Sequence, residues 1–247
     1  MAGGHLKHLL PIRLRGWLRA KRLEYRRALA QMSSVDFGEL RRLAPISRMF
    51  GVDRGLPIDR YYIEQFLAAH ASDIRGRVLE MGDDTYIRRF GGDRVTQADV
   101  LHYVTGNPKA TIVADLTTDT DIPSGTFDCI ICTQTLQMIF DVATALRQLH
   151  RILKPGGVLL ATAHGTSRVC RREGVDDWGE YWRFTSQSLD HLFAECFGRE
   201  NFRVTAYGNV LTAIAFLHGL ATEELLQEEL DTIDRDFEVL ISVRASR

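Results

Sequence analysis

The chain has 247 residues, 45% of them hydrophobic, and a formal charge of −1. That is enough apolar material for one full core with extensions, and no apolar run approaches the roughly 20 residues that a membrane helix needs. No stretch near Met1 reads as a cleavable signal, and four cysteines are too few for a disulfide scaffold, so a reducing, cytoplasmic setting is expected.

The small net charge hides an asymmetry. Residues 1–54 carry twelve Lys/Arg against four Asp/Glu, a net of +8, which leaves −9 on the remainder. Over residues 6–32, Leu14, Leu18, Tyr25, Leu29 and Met32 recur at helical spacing with basic residues between them. A basic helical arm over 1–57 is expected. It could pack on the body or on a second subunit of a homodimer, touch an anionic membrane surface peripherally, or steer an anionic substrate.

Ile58–Ser72 reads as a helix, with Tyr62, Phe66 and Ala69 on one face. Strands then alternate with helices: strands at Val78–Met81, Arg94–Val100, Ala110–Ala114, Phe127–Cys132 and Val158–Ala163, with a helix at Val142–Leu153 closed by Lys154–Pro155–Gly156–Gly157. A helix at Leu189–Phe197, a strand at Phe202–Ala206, helices at Val210–Leu220 and Glu223–Leu230, and a closing strand at Phe237–Arg244 complete the chain. This alternation specifies an α/β, doubly wound, mostly parallel sheet in a main domain at 58–247. Cys129 and Cys132 look like a CxxC pair. Three apart on a strand they face opposite sides, so they should neither pair nor chelate a metal.

Several motifs stand in a telling order: Glu80-x-Gly82, Asp99, Asp115–Leu116, Phe127–Asp128-x-Ile130, and Arg151–Ile152–Leu153–Lys154–Pro155–Gly156–Gly157. Together they resemble the class I S-adenosylmethionine-dependent methyltransferases, from about Arg77 to Ala163. The resemblance implies a Rossmann-like seven-stranded sheet with an antiparallel last strand, and S-adenosyl-L-methionine as cofactor. It implies that Glu80 and Gly82 border the methionine moiety, that Asp99 holds the ribose, and that Asp115 and Leu116 flank the adenine. Thr133 and Gln134 would line the pocket under the sulfonium. Read alone, Asp115 in Asp-Leu-Thr-Thr-Asp is equally a turn or cap acid. The family's glycine run does not continue here, since Asp84 and Tyr86 stand at the later glycine positions. A side chain there must point away from the cofactor or reshape the turn.

An alcohol acceptor must lose a proton during methyl transfer, and His164, just past the fifth strand, is the best-placed base in the sequence, expected neutral. A loop histidine bonded to backbone is the competing reading. His102 reads as a pocket or structural residue and His150 as a structural one. In the stretch 165–190, Asp176, Asp177, Trp178, Tyr181, Trp182 and Arg183 combine flat rings with polar groups, as a carbohydrate platform would. Trp182 and Phe184 could equally anchor the loop in the core. Asp176 and Asp177 could present oxygens to Mg²⁺, but simple solvation is the commoner fate of adjacent loop acids. The tail resembles small bacterial sugar O-methyltransferases, which makes methylation of a sugar or oligosaccharide hydroxyl in polysaccharide biosynthesis the leading expectation. A lipid or polyketide acceptor, or a catalytically silent methyltransferase-like module, are the alternatives. A nicotinamide oxidoreductase ranks low, because Gly-x-Gly-x-x-Gly does not follow the first strand. Nucleic acid is not expected as partner, since basic charge is confined to the arm.

Overall fold

The computed structural model describes residues 12–31, 36–118, 121–170 and 179–247. It falls into two units, one reaching to Leu43 and one spanning Ala44–Arg247. The first holds α1 (Ile12–Gln31), which exposes Leu14, Trp17, Leu18, Leu23 and Tyr25 among basic residues. Among the described residues, no helix is long and apolar enough to cross a membrane. Residues 44–57, fourteen residues ahead of the expected main domain at 58, fall in the second unit. Their backbone is held there: Ser47 N donates to His218 O at 2.9 Å, and Leu56 N to the Glu223 carboxylate at 3.0 Å.

The second unit is built on a seven-stranded sheet. Its strands are β1 (Gly76–Met81), β2 (Val95–His102), β3 (Ile112–Val113), β4 (Phe127–Thr133), β5 (Leu153–His164), β6 (Phe202–Tyr207) and β7 (Leu240–Ser246). Their spatial order is β3-β2-β1-β4-β5-β7-β6, with β7 antiparallel to both neighbours and the β1, β2, β3, β4 and β5 pairs parallel. The helices are α2 (Ile58–Ala69), α3 (Val142–Ile152), α4 (Ser186–Phe197), α5 (Val210–His218) and α6 (Gln227–Asp231). The expected helix at 223–230 is instead a short 3₁₀ turn at Thr222–Glu224 followed by α6.

Strand alternation divides the core between the two faces of the sheet. On one face Leu79, Ile130, Cys132, Leu159 and Ile241 pack with Leu146 and Leu149 of α3 and Phe193 of α4. On the other, Val78, Cys129, Ile131, Leu160 and Leu240 pack with Tyr62 and Phe66 of α2 and Phe216 of α5. Cys129 and Cys132 therefore lie on opposite faces, as their odd spacing requires.

The Lys-Pro-Gly-Gly motif has an architectural job. It bulges β5 against β4, between the Phe127–Leu153 and Cys129–Val158 pairs. Lys154 Nζ and the Arg77 amide both donate to Asp128 Oδ2, at 2.7 and 2.8 Å. A Cβ on Gly157 would sit 2.9 Å from Lys154 O and 3.0 Å from Phe127 O. These residues stand at the amino ends of their strands, so they lock the sheet rather than touch a ligand.

Gly219 ends α5 in the left-handed region at φ +70°, with its Cβ direction only 2.3 Å from Ser47 O. Gly219→Ala combines backbone strain with a clash against main chain and is expected to lower Tm by about 5 °C or more, read by thermal unfolding.

Candidate active site

The carboxyl ends of β1, β2, β4 and β5 form one rim, where small molecules bind in open α/β sheets. Two cavities open there. The first, about 490 Å³, has Leu101, His102, Tyr103, Asp115, Leu116, Phe140 and Tyr181 in its wall. The second, about 310 Å³, has Asp59, Glu80, Asp83, Tyr86, Gln137, His164 and Glu180 in its wall. Met81, Gly82, Thr133, Gln134 and Met138 are common to both. Each volume lies within the range typical of ligand sites.

Gly82 sits at the junction. Its φ of +85° suits glycine, and a Cβ there would point into open space. Its amide donates to Leu101 O at 3.0 Å, and its carbonyl accepts from Asn107 Nδ2 at 2.7 Å. The missing glycines are resolved locally. Tyr86 turns its ring into the core beside Phe90, and Asp84 pairs with Arg88 at 2.5 Å and Lys109 at 3.7 Å. After them the chain makes only one π-helical turn, Ile87–Gly91.

Glu80 is buried and faces its own chain. Its two oxygens accept from Tyr86 N at 3.1 Å and Ile87 N at 2.8 Å, which caps that turn. Burial raises its pKa to about 7; the two amides oppose the shift, and Asp83 and Asp84 add to it.

Asp99 is not brought to the rim. β2 continues three residues beyond it, and its carboxylate is consumed by Arg77 Nε at 2.7 Å, Thr111 Oγ1 at 3.0 Å and Gln97 Nε2 at 3.2 Å. The residue that reaches the cavity at the end of β2 is His102, so the ribose role expected of Asp99 is corrected on geometry. Asp115 does line the first cavity, and its Oδ1 also accepts from Thr117 N at 2.8 Å and Thr117 Oγ1 at 2.7 Å. It is thus both a turn acid and a wall residue. Leu116, Thr133 and Gln134 line the cavities as expected.

His164 ends β5 and is almost fully buried. Its Nε2 lies 3.3 Å from Asp59 Oδ2, and its Nδ1 is 3.8 Å from Glu180 Oε1, an ionic contact too long for a hydrogen bond. Burial pulls the imidazole pKa down, but Asp59 and Glu180 outweigh it and the net shift is upward. The two acids thus shift the imidazole toward its protonated form. Glu180 is held low in turn; burial raises it, while His164, the Cys170 amide and Arg183 bring it below its ordinary value.

Asp176, Asp177 and Trp178 lie outside the described residues. Of the other expected acceptor contacts, Tyr181 lines the first cavity. Trp182 stacks on Phe140 and donates Nε1 to Ile139 O at 3.0 Å, so it fastens the loop to the turn after β4. Arg183 is a staple, not a cavity residue: its guanidinium donates to Glu180 at 2.8 Å, to Ser167 O at 3.2 Å and to Arg168 O. Sequence reasoning missed Asp59, Gln137, Phe140 and the pairing of Glu180 with His164. Only Gln134-x-x-Gln137 carried a legible local signal, a three-residue spacing just after a buried strand. No group of three or more metal-ligating side chains assembles among the described residues.

Residues 83–161 match the family model described as Methyltransferase domain. No curated protein matches the sequence. The fold is similar to that of the [4+2]-cyclase SpnF, with a TM-score of 0.51, 15% identity, and coverage of 78% of this chain and 84% of that one. It is equally similar to a SAM-dependent methyltransferase from Archaeoglobus fulgidus, with a TM-score of 0.51, 10% identity, and coverage of 76% and 94%. The matched segment and the sheet order together give a Rossmann-like sheet of the kind found in class I methyltransferases. Identities this low carry the fold alone, and a fold shared by a cyclase and a methyltransferase leaves the chemistry to be argued from the site.

Proposed function

We propose that the protein transfers a methyl group from S-adenosyl-L-methionine to a sugar or oligosaccharide hydroxyl, with His164 as general base. The observation that carries this reading is the pair of adjoining cavities that share a wall, with a buried imidazole–carboxylate pair in one of them. Leu116, Asp115 and His102 are suited to the nucleoside, and Gly82 and Thr133 to the methionine chain. The open Cβ direction of Gly82 gives a ligand close access to backbone, and the second cavity, with His164 in its wall, is left to the acceptor. Bound in the first cavity, the cofactor would supply an electrophilic methyl group on a sulfonium, with a neutral thioether as the leaving group.

His164 would remove the acceptor proton at Nδ1 while Asp59 holds Nε2. Asp59 and Glu180 then stabilise the imidazolium that results, as a buried acid does for a catalytic histidine. Tyr181 and Phe140, 54% and 68% exposed, offer ring faces at the mouth of the first cavity, where a sugar ring could stack. The exposed apolar residues of α1 support contact with a second subunit or an anionic membrane surface.

The reading of a silent module was motivated by Asp84 and Tyr86, and both side chains are engaged elsewhere. Calorimetry with S-adenosylmethionine is expected to give saturable binding at micromolar concentration. No binding at millimolar cofactor would end the catalytic reading.

A further inference from the structure

Three polar atoms on side chains that line the second cavity have no hydrogen-bond partner among the described residues: Gln134 Nε2, Gln137 Oε1 and His164 Nδ1. Gln137 is 0% and His164 6% exposed, so both are withdrawn from the outer surface. Buried polar atoms are costly when unpaired, and a native structure that keeps three in one cavity needs a reason for them. The two amides already bond each other, Gln137 Nε2 donating to Gln134 Oε1 at 2.8 Å. One donor and one acceptor are left over. Exchanging O and N in both amides only swaps which residue carries which.

The backbone points to the same place. Gln134 has φ +50°, a left-handed conformation that a residue with a side chain adopts at a cost, and its amide is fixed to Thr162 O at 3.0 Å. Strain of this kind gathers at ligand sites. The cavity wall also holds Asp59, Glu80, Asp83 and Glu180 against Arg60 and the imidazole of His164, so acids predominate and a phosphate or carboxylate group would meet repulsion. A hydroxyl both donates and accepts, and carries no charge.

We propose that the Gln134–Gln137 amide pair binds a second hydroxyl on the acceptor, next to the one whose proton His164 removes, so that the cavity selects a neutral polyhydroxylated group over a simple alcohol. This rests on the reading that the second cavity holds the methyl acceptor, and it makes Gln137 a specificity-determining residue.

Gln137→Met keeps the side-chain length, removes both polar atoms, and leaves the Gln137 carbonyl free to accept from Tyr181 N as before. Saturation-transfer NMR on protein loaded with S-adenosylhomocysteine, using methyl α-D-mannopyranoside and cyclohexylmethanol as probes, tests the proposal. The glycoside is expected to bind about tenfold or more tighter than the simple alcohol, and Gln137→Met to erase that difference. In the same variant S-adenosylhomocysteine affinity stays within about twofold by calorimetry, as for a site independent of the cofactor. Its Tm stays within about 3 °C, because one lost hydrogen bond is offset by relief of a buried unpaired atom. Should Gln137→Met unfold, Gln137→Asn, which withdraws the amide by one carbon, repeats the comparison. Wild-type protein that ignores the glycoside, or a variant that binds it as well as wild type does, overturns the proposal. Loss of S-adenosylhomocysteine affinity on substitution assigns the amide pair to the cofactor and overturns it too, with the methyltransferase reading intact. Failure of wild-type protein to bind S-adenosylhomocysteine instead overturns that underlying reading.

Discussion

His164→Ala is expected to lower turnover by about 10²- to 10⁴-fold, the range a positioned base contributes, while S-adenosylmethionine affinity changes little. The imidazole sits at the end of β5 in the second cavity, and its Nδ1 is the atom without a partner there. A merely structural histidine would give a smaller loss and leave the pH profile in place. Because Asp59 and Glu180 raise the pKa of His164 above its ordinary 6.5, the base form populates only as pH rises. The turnover number should therefore climb with pH through a midpoint above 6.5. Glu180→Gln and Asp59→Asn should each move that limb to lower pH, since each removes a charge that holds the proton. A His164→Ala variant with full activity, or a limb indifferent to both carboxylates, rejects the histidine as base.

The second large effect is on stability. The pKa of Glu80 is about 7 in the folded chain against an ordinary 4.5, so the native state binds the extra proton. A raised pKa contributes stability that is complete below about pH 4.5 and is lost as pH rises through 7. At about 1.4 kcal/mol per unit the shift from 4.5 to about 7 sets an upper bound near 3.5 kcal/mol. His164, also raised, acts in the same direction: its contribution is present below 6.5 and lost as pH passes its folded value. Glu180, lowered, works oppositely and protects against acid, its share vanishing as pH falls below its ordinary range. Thermal unfolding between pH 5 and 8 should show Tm falling with pH, and Glu80→Gln should flatten most of that slope. A slope unchanged in the variant would mean that Glu80 is charged in the fold throughout.

Much of the architecture was legible because it rests on period and parity. Alternating apolar residues set the two faces of the sheet, and the odd spacing of Cys129 and Cys132 separated them without reference to any partner. The extent of a strand is harder to read. Asp99 follows Glu80 at the spacing of a ribose-binding acid, but β2 runs on to His102, and only the register of Leu79 against Asp99 reveals that the acid lies inside the sheet. Glu80 was read as facing a ligand, whereas its oxygens are spent on amides six and seven residues ahead, in a turn that the altered glycine positions reshape. The His164–Asp59 contact joins residues 105 apart, and no local pattern announces such a pair. Glu180 was visible as one acid in an aromatic stretch, and its companion Arg183 looked like a substrate contact. Both are drawn inward by the same short network, which holds the ends of the loop together.

The place of β7 also bears on how the molecule is made. Leu240–Ser246 lies between β5 and β6, bonded on both sides along its length. A nascent chain that has not yet delivered this segment carries an unpaired inner edge along β5, of the kind that invites pairing with other chains. Closing the sheet also waits on contacts between distant segments, which slows folding and prolongs that exposure. A chain cut before Leu240 should thus emerge as a client of chaperones or as aggregate rather than as a smaller working domain.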